Sequence, residues 1–456
     1  MLRLRSCGRG PEGFRRVRRL FLACIPALVV LLAGTEAHAY PWMIRHGYGG
    51  CTTCHMDPSG GELLTRYGRA QGDLLLRTHY GRQTASLHTP KQKTDSFDSF
   101  DSFDDDTSAP AKPKPKPAPP PPKASGPSPS AGFLWGLLKP PDWLLVGGSY
   151  RHMTVIRLAK RAGQRTFWTF PMMADVYGGL EVGDFRAEGS LGVAKVPAQF
   201  AYTRAAQITT NQGDQFNLIS RTHWLGWAFS NEKYLLRAGR INLPFGVRIP
   251  EHVMWVRAAT RTDRESEQQH GVAFAYNGDV FRGEIMAIAG NYQINPDRFR
   301  ERGYSGYLEW MLADWAAVGA SSLVTHAQAD ITTLEDQPTL RQTHGLFARL
   351  AVVPRVVVLA EGDALLESRH DPGYAGFLQA DYEPVQGLHF DATGEVVDEG
   401  YEKGALQAKS PGFGQPRFGG WLSTFWFFLP HFEARLDGVV RQQDSFELLA
   451  QLHVYL

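Results

Sequence analysis

Between residues 141 and 456 the chain consists of segments in which polar and apolar side chains alternate. Successive side chains of a β-strand point to opposite faces, so this alternation predicts strands with one apolar and one polar face. Turn residues separate the segments, and no long helical pattern interrupts them. The pattern predicts a mainly β structure with about sixteen strands, near residues 143–158, 165–182, 185–196, 214–229, 232–241, 268–276, 281–290, 303–311, 315–326, 340–350, 354–367, 373–383, 387–397, 418–428, 431–441 and 445–455.

The connections between these predicted strands are of two kinds. Those after even-numbered strands are tight, as at Gly183-Asp184, whereas those after odd-numbered strands are often long, near 197–213, 242–267, 291–302, 327–339 and 398–417. Short turns at one end, longer loops at the other and an even strand number are properties of an outer-membrane β-barrel. A soluble β-sandwich would not be expected to sort its loops in this way. We therefore expect residues 141–456 to form an outer-membrane barrel in contact with lipid, with both chain ends on the periplasmic side.

Upstream of the strands, Cys51-Thr52-Thr53-Cys54-His55 forms the motif that attaches a c-type haem. Two thiols at this spacing can each form a thioether with a haem vinyl group, and the adjacent histidine binds the iron. The cysteines could instead form a small disulfide loop, a redox dithiol or half of a zinc site. A redox dithiol usually lies in a βαβ unit, and no cysteines follow to complete a zinc site. The motif predicts one covalent haem c, attached at Cys51 and Cys54, with His55 as the proximal iron ligand.

Residues 1–39 have the features of a secretory signal peptide. Seven arginines are followed by an apolar run from about Leu20 to Ala33, and Ala37-His38-Ala39 is a small-x-small cleavage site. The apolar run is shorter than the roughly 20 residues of a membrane-spanning helix. Export places the motif outside the cytoplasm, where haem c is attached. Without these residues the chain is nearly neutral, which argues against a nucleic-acid partner.

Residues 40–90 are expected to form a small α-helical unit around the haem. Between Glu62 and Arg77 apolar residues recur at roughly helical spacing, so one face of a helix could cover the haem. A unit this small buries little core of its own, so the haem would supply most of it. The sixth iron ligand stays open: His79, which follows the helix, is a possible distal ligand, with Met43, His46 and His88 as further candidates and an open or water-bound iron as the alternative.

Residues 91–140 have the composition of a disordered linker. A Ser-Phe-Asp triplet occurs three times from Ser96 to Asp104, and residues 112–123 are almost entirely proline, lysine and alanine. A proline-rich stretch favours polyproline II, at about 3.1 Å per residue, and acts as a spacer. The acidic phenylalanine repeat could alternatively dock on a basic partner.

The signal peptide, the single motif at Cys51–His55 and the predicted barrel together resemble the fused outer-membrane cytochrome c–porins of bacteria that exchange electrons with extracellular partners. The resemblance covers the layout of the whole mature chain. It implies a monohaem cytochrome c segment that works together with the barrel. The linker is longer than in that family, so the position of the haem relative to the lumen stays open.

A second resemblance concerns the segment Gly239–Gly246, which is similar to phosphate-selective porins. In general porins the loop after the fifth strand folds inward and narrows the pore. In this chain that loop would be 242–267, which makes four arginines candidate pore-loop residues: Arg248, Arg257, Arg261 and Arg264. Guanidinium groups there could bind haem propionates or an anionic acceptor, or could set an anion preference of the pore.

These features favour an electron-transfer protein over an enzyme. The resemblance implies transfer between periplasmic carriers and an extracellular donor or acceptor, across an apolar band about 25 Å tall. The haem unit would lie in the periplasm or within the barrel lumen. The alternative is a solute (anion) porin with a tethered haem sensor. An enzyme with an open iron site, such as a peroxidase, is a third hypothesis, but no catalytic constellation supports it.

Overall fold

The computed structural model of the chain describes residues 42–46, 48, 50–78, 133–158, 165–195, 206–211, 216–230, 232–251, 253–264, 266–291, 298–330, 336–368, 370–400, 415–442 and 446–456. The predicted signal peptide, His79, His88 and most of the predicted linker lie outside these residues, as does the side chain of His46.

Within these residues, seventeen strands form one antiparallel sheet. They are β1 (Leu144–Leu158), β2 (Arg165–Val182), β3 (Phe185–Lys195), β4 (Phe216–Ile219), β5 (His223–Phe229), β6 (Tyr234–Ile241), β7 (Gln269–Asn277), β8 (Phe281–Gly290), β9 (Arg302–Ala313), β10 (Ala316–Ala327), β11 (Thr339–Val353), β12 (Val356–Glu367), β13 (Gly373–Val385), β14 (Leu388–Asp398), β15 (Arg417–Leu429), β16 (Phe432–Arg441) and β17 (Phe446–Tyr455).

The sheet closes into a barrel because the first strand pairs with the last. β1 pairs with β2 on one side and with β17 on the other, where Ser149 lies opposite Tyr455 and Leu158 opposite Phe446. β4 and β5 both pair with β3 and are two halves of one barrel strand. The predicted sixteen-strand barrel is therefore confirmed. The single predicted strand 214–229 is interrupted at residues 220–222, where the Ser220 hydroxyl donates to the Thr222 carbonyl and the amides of Arg221 and Thr222 donate to the Ser190 hydroxyl of β3.

The two faces of the strands differ as the alternation predicts. In β11, Leu340 and Leu346 point outward and are 40% and 71% exposed, while Arg341, Thr343 and Arg349 point inward. Apolar outward side chains recur around the barrel, for example Leu225, Leu378 and Leu422. An apolar outer surface on a closed antiparallel barrel is suited to a lipid environment. Among the described helices, none is long and apolar enough to cross a membrane.

Short and long connections lie at opposite ends of the barrel. The end that carries the tight turns, such as the one at Gly183 between β2 and β3, is the short-turn rim; the other end is the long-loop rim. β1 begins at the short-turn rim, since Leu144 lies opposite Leu180, and β17 ends there. Gly183 has φ of 59°, a left-handed conformation that glycine adopts without strain.

Two parts of the chain fill the lumen. The first is the lumenal segment, the described residues between Trp42 and Thr78; the second is the inward loop, residues 242–268 between β6 and β7. The Trp42 ring lies 4.1 Å from the ring of His389 on β14. The Trp255 amide of the inward loop donates to Glu395 of β14 (2.8 Å). Inward-facing polar side chains are buried because these two parts cover them.

The helix of the lumenal segment is shorter than the predicted 62–77. Its α-helical part is Arg66–Gln71, followed by one π turn at Gly72–Leu76. Thr65 caps the helix, its Oγ1 accepting from the Gly68 amide (3.0 Å). Residues 62–64 cannot be helical because Glu62 has a left-handed φ of 57° and Leu64 forms a β-bridge with His55.

Candidate functional site

The Cys-x-x-Cys-His motif forms a compact turn inside the barrel. The Cys51 carbonyl accepts from the amides of Cys54 (3.0 Å) and His55 (2.9 Å), which brings the three functional side chains together. The helix of the lumenal segment packs directly on this turn. A Cβ at Gly68 would lie 2.0 Å from the Cys54 carbonyl oxygen, so only glycine permits this contact.

Burial favours the neutral forms of the two thiols and the imidazole of the motif. Neither cysteine forms a disulfide. Burial raises the pKa of the Cys51 thiol, although Arg282 and Arg248 oppose the effect. Burial also raises the pKa of Cys54 to about 12 and lowers the pKa of His55 to about 4, with Arg264 contributing to the second shift. Neutral thiols and a neutral imidazole are thus what this part of the lumen stabilises.

His55 is oriented by its own backbone neighbourhood. Its Nδ1 bonds to the carbonyl oxygen of Gly61 (3.1 Å). A carbonyl only accepts, so Nδ1 carries the proton and Nε2 keeps its lone pair. Metal-binding histidines are commonly fixed in this way, with one ring nitrogen held by a carbonyl or carboxylate.

A cavity lies between the lumenal segment and the barrel wall. It has an empty volume of about 1070 Å³, including the part open to solvent. Cys54 and His55 line it on the side of the lumenal segment. The barrel strands β1, β2, β16 and β17 line it with Ser149, Arg151, Met173, Tyr177, Glu433 and His453. The motif and the barrel wall therefore border the same cavity.

Cys51 faces a smaller neighbouring cavity that is rich in charge. This cavity is also lined by Arg248 of the inward loop and by Arg282, Glu309 and Arg349 of the wall. Glu309 bonds to both wall arginines, to Arg282 Nε (2.5 Å) and to Arg349 Nε (2.7 Å). Among the described residues Arg248 Nε and Nη2 have no hydrogen-bond partner.

The four predicted pore-loop arginines fall into two groups. Arg257 and Arg261 are held by carboxylates: Arg257 pairs with Glu361 (2.5 Å), and Arg261 with Glu301 (3.1 Å) and Glu267 (3.7 Å). Arg264 instead lines the larger cavity, where its Nη1 donates to the Gly60 carbonyl (3.4 Å). Arg248 lines the smaller one beside Cys51. The structure therefore places two of the four next to the motif and two within the loop's own ion pairs.

Buried ion pairs join the lumenal segment to the wall. Asp57 lies two residues after His55 and forms an ion pair with Arg237 of β6 (2.9 Å), and both side chains are fully buried. Burial raises the pKa of Asp57, but Arg237 and bonds from Ser59 bring it below its ordinary value. Near the short-turn rim, Arg45 pairs with Asp381 of β13. The motif is thus fixed relative to the barrel from both sides.

Among the predicted distal ligands, Met43 lines the larger cavity, and His79, His88 and the His46 side chain lie outside the described residues. Met173 and His453 line the same cavity from the wall and were not among the predicted ligands. The sequence contains a signal for His453. The predicted strands 431–441 and 445–455 form a hairpin, and this hairpin can place His453 opposite Glu433. The structure has this register.

No protein-family model matches the chain, and no curated protein matches it. Solved structures similar to it include the outer membrane channel DcaP of Acinetobacter baumannii, with 11% identity, a TM-score of 0.48 and coverage of 70% of this chain and 99% of that chain. Others are Salmonella typhi OmpF in complex with daunomycin (11%, 0.49, 69% and 97%) and an anion-selective porin from Comamonas acidovorans (10%, 0.46, 69% and 99%). The assignment of this chain as a closed barrel follows from its own strand pairing.

Proposed function

We propose that the chain is an outer-membrane barrel that holds one covalent haem c in its lumen and transfers electrons between periplasmic carriers and an extracellular partner. The observation that carries this proposal is the position of Cys51, Cys54 and His55 inside the barrel, on a segment joined to the wall by buried ion pairs. A redox centre there lies between the two aqueous sides that the apolar band separates.

The residues around the motif fit a haem c. Both thiols are free, and the His55 Nε2 is the ring nitrogen left for iron. Cys54 and His55 line the larger cavity together with the small residues Gly60, Gly61, Gly68 and Gly72, which leave room beside them. Arg151 and Arg264 line the same cavity and suit the carboxylates of haem propionates. The haem would supply one-electron chemistry, and the chain would fix, desolvate and insulate it.

The filled lumen bears on the alternative, an anion porin with a tethered haem sensor. The lumenal segment and the inward loop cover the inward-facing side chains. This conformation is therefore better suited to the transfer of electrons than to the diffusion of a solute. Arg248 supports the alternative. Its side chain lines the smaller, charged cavity, and its Nε and Nη2 have no hydrogen-bond partner among the described residues. An anion that entered the lumen could pair with it.

Reconstituted vesicles test the proposal. The full chain is inserted with a reduced donor trapped inside, and an impermeant oxidant is added outside. Wild type should oxidise the trapped donor, and His55→Ala should not. The variant Cys51→Ala with Cys54→Ala should lack haem staining after denaturation and should also be inactive.

The control is Arg257→Lys, which alters an arginine held by Glu361 away from the motif and should retain transfer. Equal rates in wild type and His55→Ala, or no transfer in either, would contradict the proposal. Anion flux through the wild-type protein without electron transfer would favour the porin alternative.

A further inference from the structure

The larger cavity has two walls that belong to different parts of the chain. Cys54 and His55 line it from the lumenal segment, and residues of strands β1, β2, β16 and β17 line it from the barrel wall. Besides His55, the lining contains three side chains with an imidazole or thioether that can ligate haem iron: Met43, Met173 and His453. Two of these three come from the barrel wall.

His453 has the hydrogen bonds of a metal-binding histidine. Its Nδ1 lies 3.0 Å from Oε2 of Glu433, its cross-strand neighbour on β16. A carboxylate accepts, so Nδ1 carries the proton and Nε2 is left with its lone pair. A carboxylate behind an imidazole fixes the ring and raises its basicity as a ligand. His55 has the corresponding arrangement with the Gly61 carbonyl.

The hydroxyl of Ser149 on β1 lies within hydrogen-bonding distance of both His453 and Met173. Its oxygen lies 3.0 Å from Nε2 of His453 and 3.4 Å from Sδ of Met173. A hydroxyl donates one hydrogen, so Ser149 can bond to His453 or to Met173. If the Nε2 of His453 bound iron, the Ser149 hydroxyl could still donate its hydrogen bond to the Met173 sulfur. Neither Met173 nor Met43 has an orienting group comparable to Glu433 among the hydrogen bonds of the described residues.

We propose that His453, on the last barrel strand, would hold the haem iron together with His55. The inference rests on the proposed covalent haem. The lumenal segment and the barrel wall then each supply one ligand, and the iron joins them. Ligation by two histidines gives a six-coordinate iron suited to electron transfer rather than to binding of an external ligand.

Spectroscopy of the full haem-containing chain tests this assignment. Oxidised wild type should give a low-spin electron paramagnetic resonance signal of the two-histidine type, with no sulfur-to-iron charge-transfer band. His453→Ala should lose the low-spin signal and become high-spin, and added imidazole should restore it. Met43→Leu and Met173→Leu are the matched controls and should keep the wild-type signal.

A second variant covers the case in which His453→Ala does not fold, as judged by heat-modifiable migration on gels. Glu433→Gln keeps the shape of the pair but weakens the bond to Nδ1, so the imidazole becomes less basic. The iron should stay six-coordinate, and its reduction potential should shift upward because ferric iron loses donor strength.

Two results would overturn the assignment. One is an unchanged low-spin signal in folded His453→Ala together with an unshifted potential in Glu433→Gln. The other is a sulfur-to-iron band in wild type that disappears in Met43→Leu or Met173→Leu. Both outcomes keep the covalent haem stain and so leave the proposed function standing. Absence of that stain in wild type would remove the proposed function instead.

Discussion

Arginines in the lumen differ mainly in the carboxylates that surround them. The sequence could predict that the inward loop carries Arg248, Arg257, Arg261 and Arg264, because the loop is one continuous stretch. It could not show which of them are neutralised. Glu361 lies on β12, far along the chain, and its bond to Arg257 depends on how the loop crosses the lumen. The division between arginines paired with carboxylates and arginines that line the two cavities is therefore a property of the fold.

Glu301 provides a pH-dependent anchor for the inward loop. Burial raises its pKa, but Arg261 and Arg341 outweigh this and lower it from an ordinary value of 4.5 to about 2. A carboxyl whose folded pKa is depressed contributes stability above its unfolded pKa, and this contribution is lost as pH falls through the folded value. We expect the inward loop to become protease-sensitive between about pH 4.5 and 2.

The measurement is limited digestion by an acid-stable protease, with the cut sites identified by mass spectrometry. Glu301→Gln lacks the ionised form at every pH and should show the sensitivity already at pH 7. If wild type and Glu301→Gln were cut identically at pH 7, Glu301 would not anchor the loop.

At the scale of single residues, the sequence could predict that the three side chains of the motif lie together. Cys51, Cys54 and His55 are adjacent in the chain, so their chemistry depends on local spacing alone. His453 and Met173 belong to the same cavity but lie far away in the chain. Their proximity to His55 follows from the entry of the lumenal segment into the barrel, and no periodicity in the sequence encodes that entry.

Among the elements, the lumenal segment depends most on long-range contacts. Its one α-helix, Arg66–Gln71, is too short to be stable alone. Buried ion pairs and ring contacts from the wall hold the segment, as with Trp42 against His389. The predicted helix over 62–77 was too long, because apolar spacing cannot reveal that residues 62–64 are extended and pair with the motif turn.

Asp57 and Asp142 give a matched test of how the segment is held. Asp57→Asn removes one partner of a fully buried pair with Arg237. Breaking such a pair costs about 3–5 kcal/mol, because a buried charge is left with less compensation. Asp142 pairs with Arg66 at the surface (3.6 Å), and Asp142→Asn should have no measurable effect.

Hydrogen exchange of the lumenal segment measures the difference. Asp57→Asn should speed exchange in the segment while the barrel strands remain protected. Equal protection in Asp57→Asn and wild type would show that Arg237 does not hold the segment.

For the whole molecule, strand number and loop asymmetry were predictable because each rests on patterns repeated along the chain. The contents of the lumen were not. Alternation tells which side chains point inward, but the same inward polar face suits an open pore or a filled one. Only the structure shows that inward residues such as Asp381 and Glu395 bond to the lumenal segment and the inward loop.

The two rims predict a topology in the membrane. A tag in the Gly183-Asp184 turn lies on the short-turn rim and should be hidden from antibodies outside intact cells. A tag near Gln407, in the connection from β14 to β15, should be labelled, because β14 ends and β15 begins at the long-loop rim. Labelling only the first tag would reverse the orientation and place the chain termini outside.

The lumenal segment also touches the chain just before β1. Arg66 Nη2 donates to the Pro141 carbonyl (2.7 Å), and the Arg69 guanidinium lies 5.7 Å from the ring of Phe133. The lumenal segment thus contacts the chain on the far side of residues 79–132, so it is held by its own contacts as well as by its covalent connection. A covalent connection raises the local concentration of the two parts that it joins, to the millimolar range for short flexible linkers. The chain should therefore behave as two complementing fragments: after cleavage at a protease site engineered between residues 91 and 132, the wild-type N-terminal fragment should co-purify with the barrel, and the Asp57→Asn fragment should separate from it.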